Sequence, residues 1–194
     1  MNDISLLAAA QMNRMAHAVF GIVSAVDPTN HAIKVRVQPE NIETGWMPDV
    51  SGVQSGDLKI ACPSSIGTHV VLLPIEGDAE QFIAVGALFD AVVSPPRVPG
   101  LNRVVQTGEW FMQAGGENSL GASIFVSDDS LKMNVGNSGF SIKNNEVIIS
   151  VDGVVLSVNS EGVQVQGGDI RTESFSLNNH CHFVGAQKST GPTL

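Results

Sequence analysis

The chain has 194 residues, of which 43% are hydrophobic and only 15% charged, and its formal net charge is −9. That length admits one medium domain or two small ones, and the hydrophobic share is enough to build a core. The acidic balance argues against nucleic acid, which is held by Lys and Arg, and against anionic lipid. Any dealings with a membrane are therefore mechanical or apolar. With 20 Gly and few charges, the surface must be neutral and polar, which suits tight turns and repeated strands better than a helical bundle. Cys62 and Cys181 form no spaced motif, and the expectation is free thiols in a protein made in the cytoplasm. The first residues lack the basic region of a signal peptide, and no apolar run approaches the ~20 residues of a membrane-spanning helix.

Residues 1–16 predict a short N-terminal helix. Asp3 or Ser5 caps it, and Ile4, Leu7, Ala8, Met12 and Met15 fall near helical spacing. From 17 to 90 the pattern changes to strands. Val19–Val26 reads as a strand, Asp27-Pro28-Thr29-Asn30 as a turn, and Ala32–Val37 as an alternating strand with Ile33, Val35 and Val37 on one face. Trp46-Met47-Pro48, Thr68–Pro74 and Glu80–Phe89 add three more. Five strands in this length fit a small barrel of the OB type. Residues 91–102 hold Pro95, Pro96 and Pro99 and predict a stiff linker.

Residues 103–179 read as short strands centred near Phe125, Met133, Ser141, Ile149, Leu156 and Gln164, a repeat of about eight residues. Turn residues such as Gly136-Asn137, Asn144-Asn145 and Asp152-Gly153 separate them. Eight residues are too few for one coil of a single-chain solenoid. They fit a meandering ribbon that wraps with its copies around a three-fold axis. Each strand offers a narrow apolar row such as Val147, Ile149 and Val151, which one chain cannot enclose and three can. An intertwined trimeric β-helix or β-prism follows, with an ordinary β-sandwich as the alternative. Residues 169–177 continue the strand pattern.

Residues 180–194 form the predicted tip, opened by His180-Cys181-His182. On a strand, positions i and i+2 share a face, about 6.7 Å apart. Two imidazoles make an incomplete metal site, but around a three-fold axis they become six. Such a nitrogen shell suits iron, nickel, zinc or copper better than calcium or magnesium.

The order of helix, OB barrel, proline linker, β-repeat and terminal His-x-His resembles the baseplate spike (assembly protein V) family of contractile-tailed phages, including Mu-like phages and R-type pyocins. Pro74–Gln81 leading into Val85–Phe89 resembles that family too, and the likeness spans nearly the full chain. The resemblance implies a homotrimer at the tip of a virion tail baseplate, made in the host cytoplasm. It implies one iron ion per trimer in an octahedral six-imidazole shell from His180 and His182, with structural ions such as calcium or chloride on the axis. Implied partners are the baseplate hub, the tail tube and, as mechanical target, the bacterial outer membrane. The chain departs from the family at Phe183 and Val184, where glycines are frequent.

No catalytic motif of the hydrolase, phosphate-binding or zinc-protease kinds occurs in the sequence. Glu76, Asp78 and Glu80 read as solvated turn acids, Asp128-Asp129 likewise, and His17, His31 and His69 as scattered surface or barrel residues. The expectation is a non-enzymatic spike. The alternatives are a trimeric tail fibre that binds a receptor or degrades polysaccharide, against which the absence of Tyr weighs, and a monomeric cytosolic metal-binding module.

Overall fold

The computed structural model of the chain describes residues 17–77, 80–115 and 121–189. The predicted helix over 1–16 lies outside them. The described residues are mainly β, with antiparallel sheets and no helix. They divide between Pro95 and Pro96 into two compact units.

The first unit contains β1 (Val19–Asp27), β2 (Ala32–Val37), β3 (Ile42–Glu43), β4 (Met47–Pro48), β5 (Gly52–Ser55), β6 (Leu58–Ala61), β7 (His69–Pro74) and β8 (Phe82–Leu88). Six of these form one sheet in the order β3-β2-β1-β7-β8, with β4 paired to β2. β4 also lies beside β8. Alternation sends Val23, Ile33, Val35, Val70, Leu72 and Ala84 to one side, where Met47 joins them in a core from which water is almost wholly excluded. Gly21 faces that core because a Cβ there would stand 2.3 Å from Val35 Cγ1. The β1–β2 turn is locked by Asp27, whose Oδ1 accepts the Thr29 and Asn30 N–H groups at 3.0 and 3.2 Å. β3 and the β5–β6 hairpin are additions to the five predicted strands.

In the second unit, β9 (Arg97–Val98) pairs with β10 (Arg103–Val104). Val98 is buried, so the second half of the predicted linker is part of this unit. A seven-stranded antiparallel meander follows: β11 (Trp110–Gln113), β12 (Ala122–Val126), β13 (Ser130–Val135), β14 (Ser138–Lys143), β15 (Glu146–Val151), β16 (Val154–Asn159) and β17 (Gly162–Gln166). The last four connections are two-residue hairpin loops. Their chemistry is visible in Asp152-Gly153, with φ of +46° and +89°, the pair of positive values that a type I′ turn requires. Residues 169–177 depart from the predicted strand pattern and hold only an isolated bridge between Arg171 and Ser176. The chain then enters a small hairpin of β18 (Phe183–Val184) and β19 (Gln187–Lys188).

Candidate functional site

Residues paired across an antiparallel ladder share a face, so the register assembles the short apolar rows of each strand into continuous ones. Trp110, Val126, Leu131, Ile142, Val147, Val158 and Val163 form one row across all seven strands. Met112, Ile124, Met133, Phe140, Ile149, Leu156 and Val165 form a second beside it. Ala122, Val135, Ser138, Val151 and Val154 make a third. Only Ser138 in these rows is polar.

None of these side chains is buried, and ten of them are 40–62% exposed. Strand rise and spacing make the face about 20 Å by about 29 Å. Its area matches the upper end of the roughly 300–600 Å² found for the largest apolar patch on a monomer. The opposite face is mostly polar over β13–β17, with Lys132, Asn134, Ser141, Lys143, Ser150, Ser157 and Gln164 beside the apolar Ile148 and Val155. At one end of that face Ser123 and Phe125 are buried, and Phe111 packs edge-on against Phe125 at 6.5 Å.

Two carboxylate-centred clips hold the approaches to these sheets. In the second unit the Arg103 guanidinium bonds both oxygens of Glu109 at 2.7 and 2.6 Å. This Arg103 pairing, with help from the Gln106 N–H, lowers the Glu109 carboxyl to about 2. In the first unit Asp90 accepts the Val93 and Val92 N–H groups at 2.8 and 2.7 Å and lies 2.5 Å from His69 Nδ1. The Val93 bond and then the His69 contact bring that carboxyl to about 2. Sequence reading treated His69 as a scattered histidine; its partner is 21 positions away.

His180 and His182, the predicted ligands, fall between the turn at 177–179 and β18 rather than on a regular strand. Their rings nevertheless stand together, with centroids 5.1 Å apart and planes nearly perpendicular. Phe175 lies 5.3 Å from the His180 ring. His180 Nδ1 is 2.7 Å from the Leu177 carbonyl oxygen, which can only accept. Nδ1 therefore donates, and in the neutral ring Nε2 keeps its lone pair for a ligand. The His182 backbone is clamped in both directions by Ser189, with N–H to Oγ at 2.8 Å and O from the Ser189 N–H at 2.7 Å. Cys181, between the two, is a half-buried free thiol, and Cys62 is an exposed one.

Among the described residues of a single chain, no group of three or more His, Cys, Asp or Glu side chains is arranged to hold a metal. Two imidazoles suit a transition metal in type but fill only part of a shell. The pair fits an ion only where copies of the chain add their own imidazoles. Of the acidic trio Glu76, Asp78 and Glu80, Asp78 lies outside the described residues. No family model matches the chain, and no curated protein matches it.

Proposed function

We propose that the chain is the central spike of a contractile injection machine, a homotrimer that pierces a bacterial outer membrane mechanically. The observation that carries this reading is the uncovered three-row apolar face of β11–β17. Finishing the burial of ten half-exposed side chains is worth on the order of 10 kcal/mol per chain, as an upper bound. A three-fold arrangement covers all three copies at once and leaves the polar faces outward, a closed assembly in which no apolar face remains free to recruit more chains.

The intertwined β-helix or β-prism is the trimeric form of this face. The OB-type barrel is the reading of the first unit, supported by β4 pairing with β2 while lying beside β8, and we assign it a collar role toward the baseplate hub and tail tube. His180 and His182 of three chains would supply six nitrogens to one ion, with iron the metal that the family resemblance favours. Such an ion acts as a crosslink: it ties three chain ends together and resists splaying under axial load. With its shell closed by six imidazoles it keeps no open position for a substrate, so the role is structural rather than catalytic.

The test is metal content per chain of untagged protein, measured beside the oligomeric state. One ion per three chains, lost in a His180→Ala/His182→Ala variant that stays trimeric, is the expected result. A metal-free trimer would discard the clamp and keep the spike.

A further inference from the structure

The segment that leads into the histidine pair is organised by one carboxylate. The Asp169 side chain is only 5% exposed. Its Oδ1 accepts the Asn178 N–H at 3.0 Å, and its Oδ2 accepts Arg171 Nε–H at 3.1 Å and the Ser176 hydroxyl. Ser176 Oγ in turn accepts the Asn179 N–H at 3.1 Å and its side-chain amide at 3.3 Å. Between these anchors, the Leu177 N–H reaches Ile170 O at 3.0 Å. The Leu177 carbonyl is left to accept a hydrogen bond from His180 Nδ1–H at 2.7 Å.

This chain of bonds has a consequence for the imidazole. A neutral histidine carries its proton on either nitrogen, and the hydrogen bond made by one nitrogen decides which lone pair the other offers. A free side chain favours the proton on Nε2, which would block that atom as a ligand. Here the Leu177 carbonyl holds the less favoured tautomer.

We propose that Asp169 is a positioning residue for His180: through Ser176 and the turn at 176–179 it holds the Leu177 carbonyl where it fixes the Nδ1–H tautomer, so that Nε2 is presented before any ion arrives. The value of the proposal for the tip rests on His180 being a ligand, but the tautomer is readable without metal. Tautomer fixing by a backbone carbonyl is the outer-shell arrangement whose loss elsewhere lowers metal affinity about 10- to 100-fold. Asp169 lies 11 positions before His180 and touches no ring, so it acts only through the turn.

Long-range ¹H–¹⁵N correlation of the histidine rings in metal-free, full-chain protein, in mildly alkaline buffer, tests this directly. The expected wild-type spectrum has His180 protonated at Nδ1, and Asp169→Ala shifts it toward Nε2–H. Asp169→Asn, which keeps one acceptor oxygen, restores part of the native signal. Titration with ferrous ion should show a 10- to 100-fold weaker apparent affinity for Asp169→Ala. A wild-type His180 protonated at Nε2, or an unchanged tautomer in a folded Asp169→Ala protein, overturns the proposal. Should Asp169→Ala fail to fold, Ser176→Ala removes only the relay hydroxyl; the same tautomer shift is expected, and its absence is equally fatal. A tautomer shift in a protein whose wild type binds no ion supports the positioning role and refutes the clamp instead.

Discussion

The two units solve the same problem in opposite ways. In the first, five strands contribute to a core that includes Ile33, Val35 and Leu72, all at 0% exposure, and the chain needs no help to hide them. In the second, seven regular strands align rows just as apolar, yet Val135 and Val163 stay 62% exposed. Regular hydrogen bonding is common to both; burial is not. Secondary structure and a buried core are thus separate achievements, and the second unit completes only the first of them within one chain. In the proposed spike, other copies of the chain complete that burial.

Four changes sharpen or break that contrast. The largest effect is expected from Ile149→Asp, which sets a carboxylate in the central row and, in a trimer, brings three of them together. Burying unpaired charge costs several kcal/mol per group, so the variant should run as a monomer by light scattering. Hydrogen exchange of β1, β2 and β7 should stay unchanged. Loss of protection in both units would dissolve the contrast. Next, Leu72→Ala opens a cavity in the self-contained core and should destabilise the first unit by about 2–5 kcal/mol. The oligomeric mass should not move, which thermal unfolding and sedimentation together would check. A smaller change comes from Gly153→Ala. Its φ of +89° is poor for any residue with a Cβ, and about 1 kcal/mol should be lost from the β15–β16 hairpin, visible as earlier unfolding of the second unit alone.

The smallest is an acid effect. Glu109 is lowered from 4.5 to about 2 by Arg103, and Asp90 from 3.8 to about 2 by the Val93 N–H and His69. A carboxyl with a depressed folded value stabilises fully above its unfolded value and loses that contribution as pH falls. Both clips should therefore weaken between about pH 4.5 and pH 2. Glu109→Gln should flatten that slope in the second unit and leave the first unit's unchanged. A slope in the opposite direction, or one that Glu109→Gln leaves intact, would remove the clip from the account.

Much of this was legible in the sequence because the meander follows local rules. Alternation over Leu131–Val165 and the turn pairs between them place β13–β17 without tertiary information, and Val147, Ile149 and Val151 do share one face. The β5–β6 hairpin was missed although Val53, Leu58 and Ile60 alternate onto one face around the Gly56-Asp57 loop; that face is exposed and joins no core. Residues 169–177 misled in the opposite direction: apolar Ile170, Phe175 and Leu177 suggest a strand, but Asp169 and Ser176 hydrogen-bond locally and compete with the ladder. The nearness of His180 and His182 survived this error, since two residues of extended chain bring the rings together with or without a strand. The hold of Asp169 on Leu177 depends on partners seven to nine positions away and leaves no mark in spacing.

The central claim is that the second unit is finished by two further copies. Light scattering on the untagged full chain, followed over a hundredfold dilution, tests it most directly. The account predicts a constant mass three times the 20.4 kDa of one chain. A monomer at that chain mass, with β11–β17 still protected from hydrogen exchange, would show that the apolar face stands uncovered in solution and would contradict it.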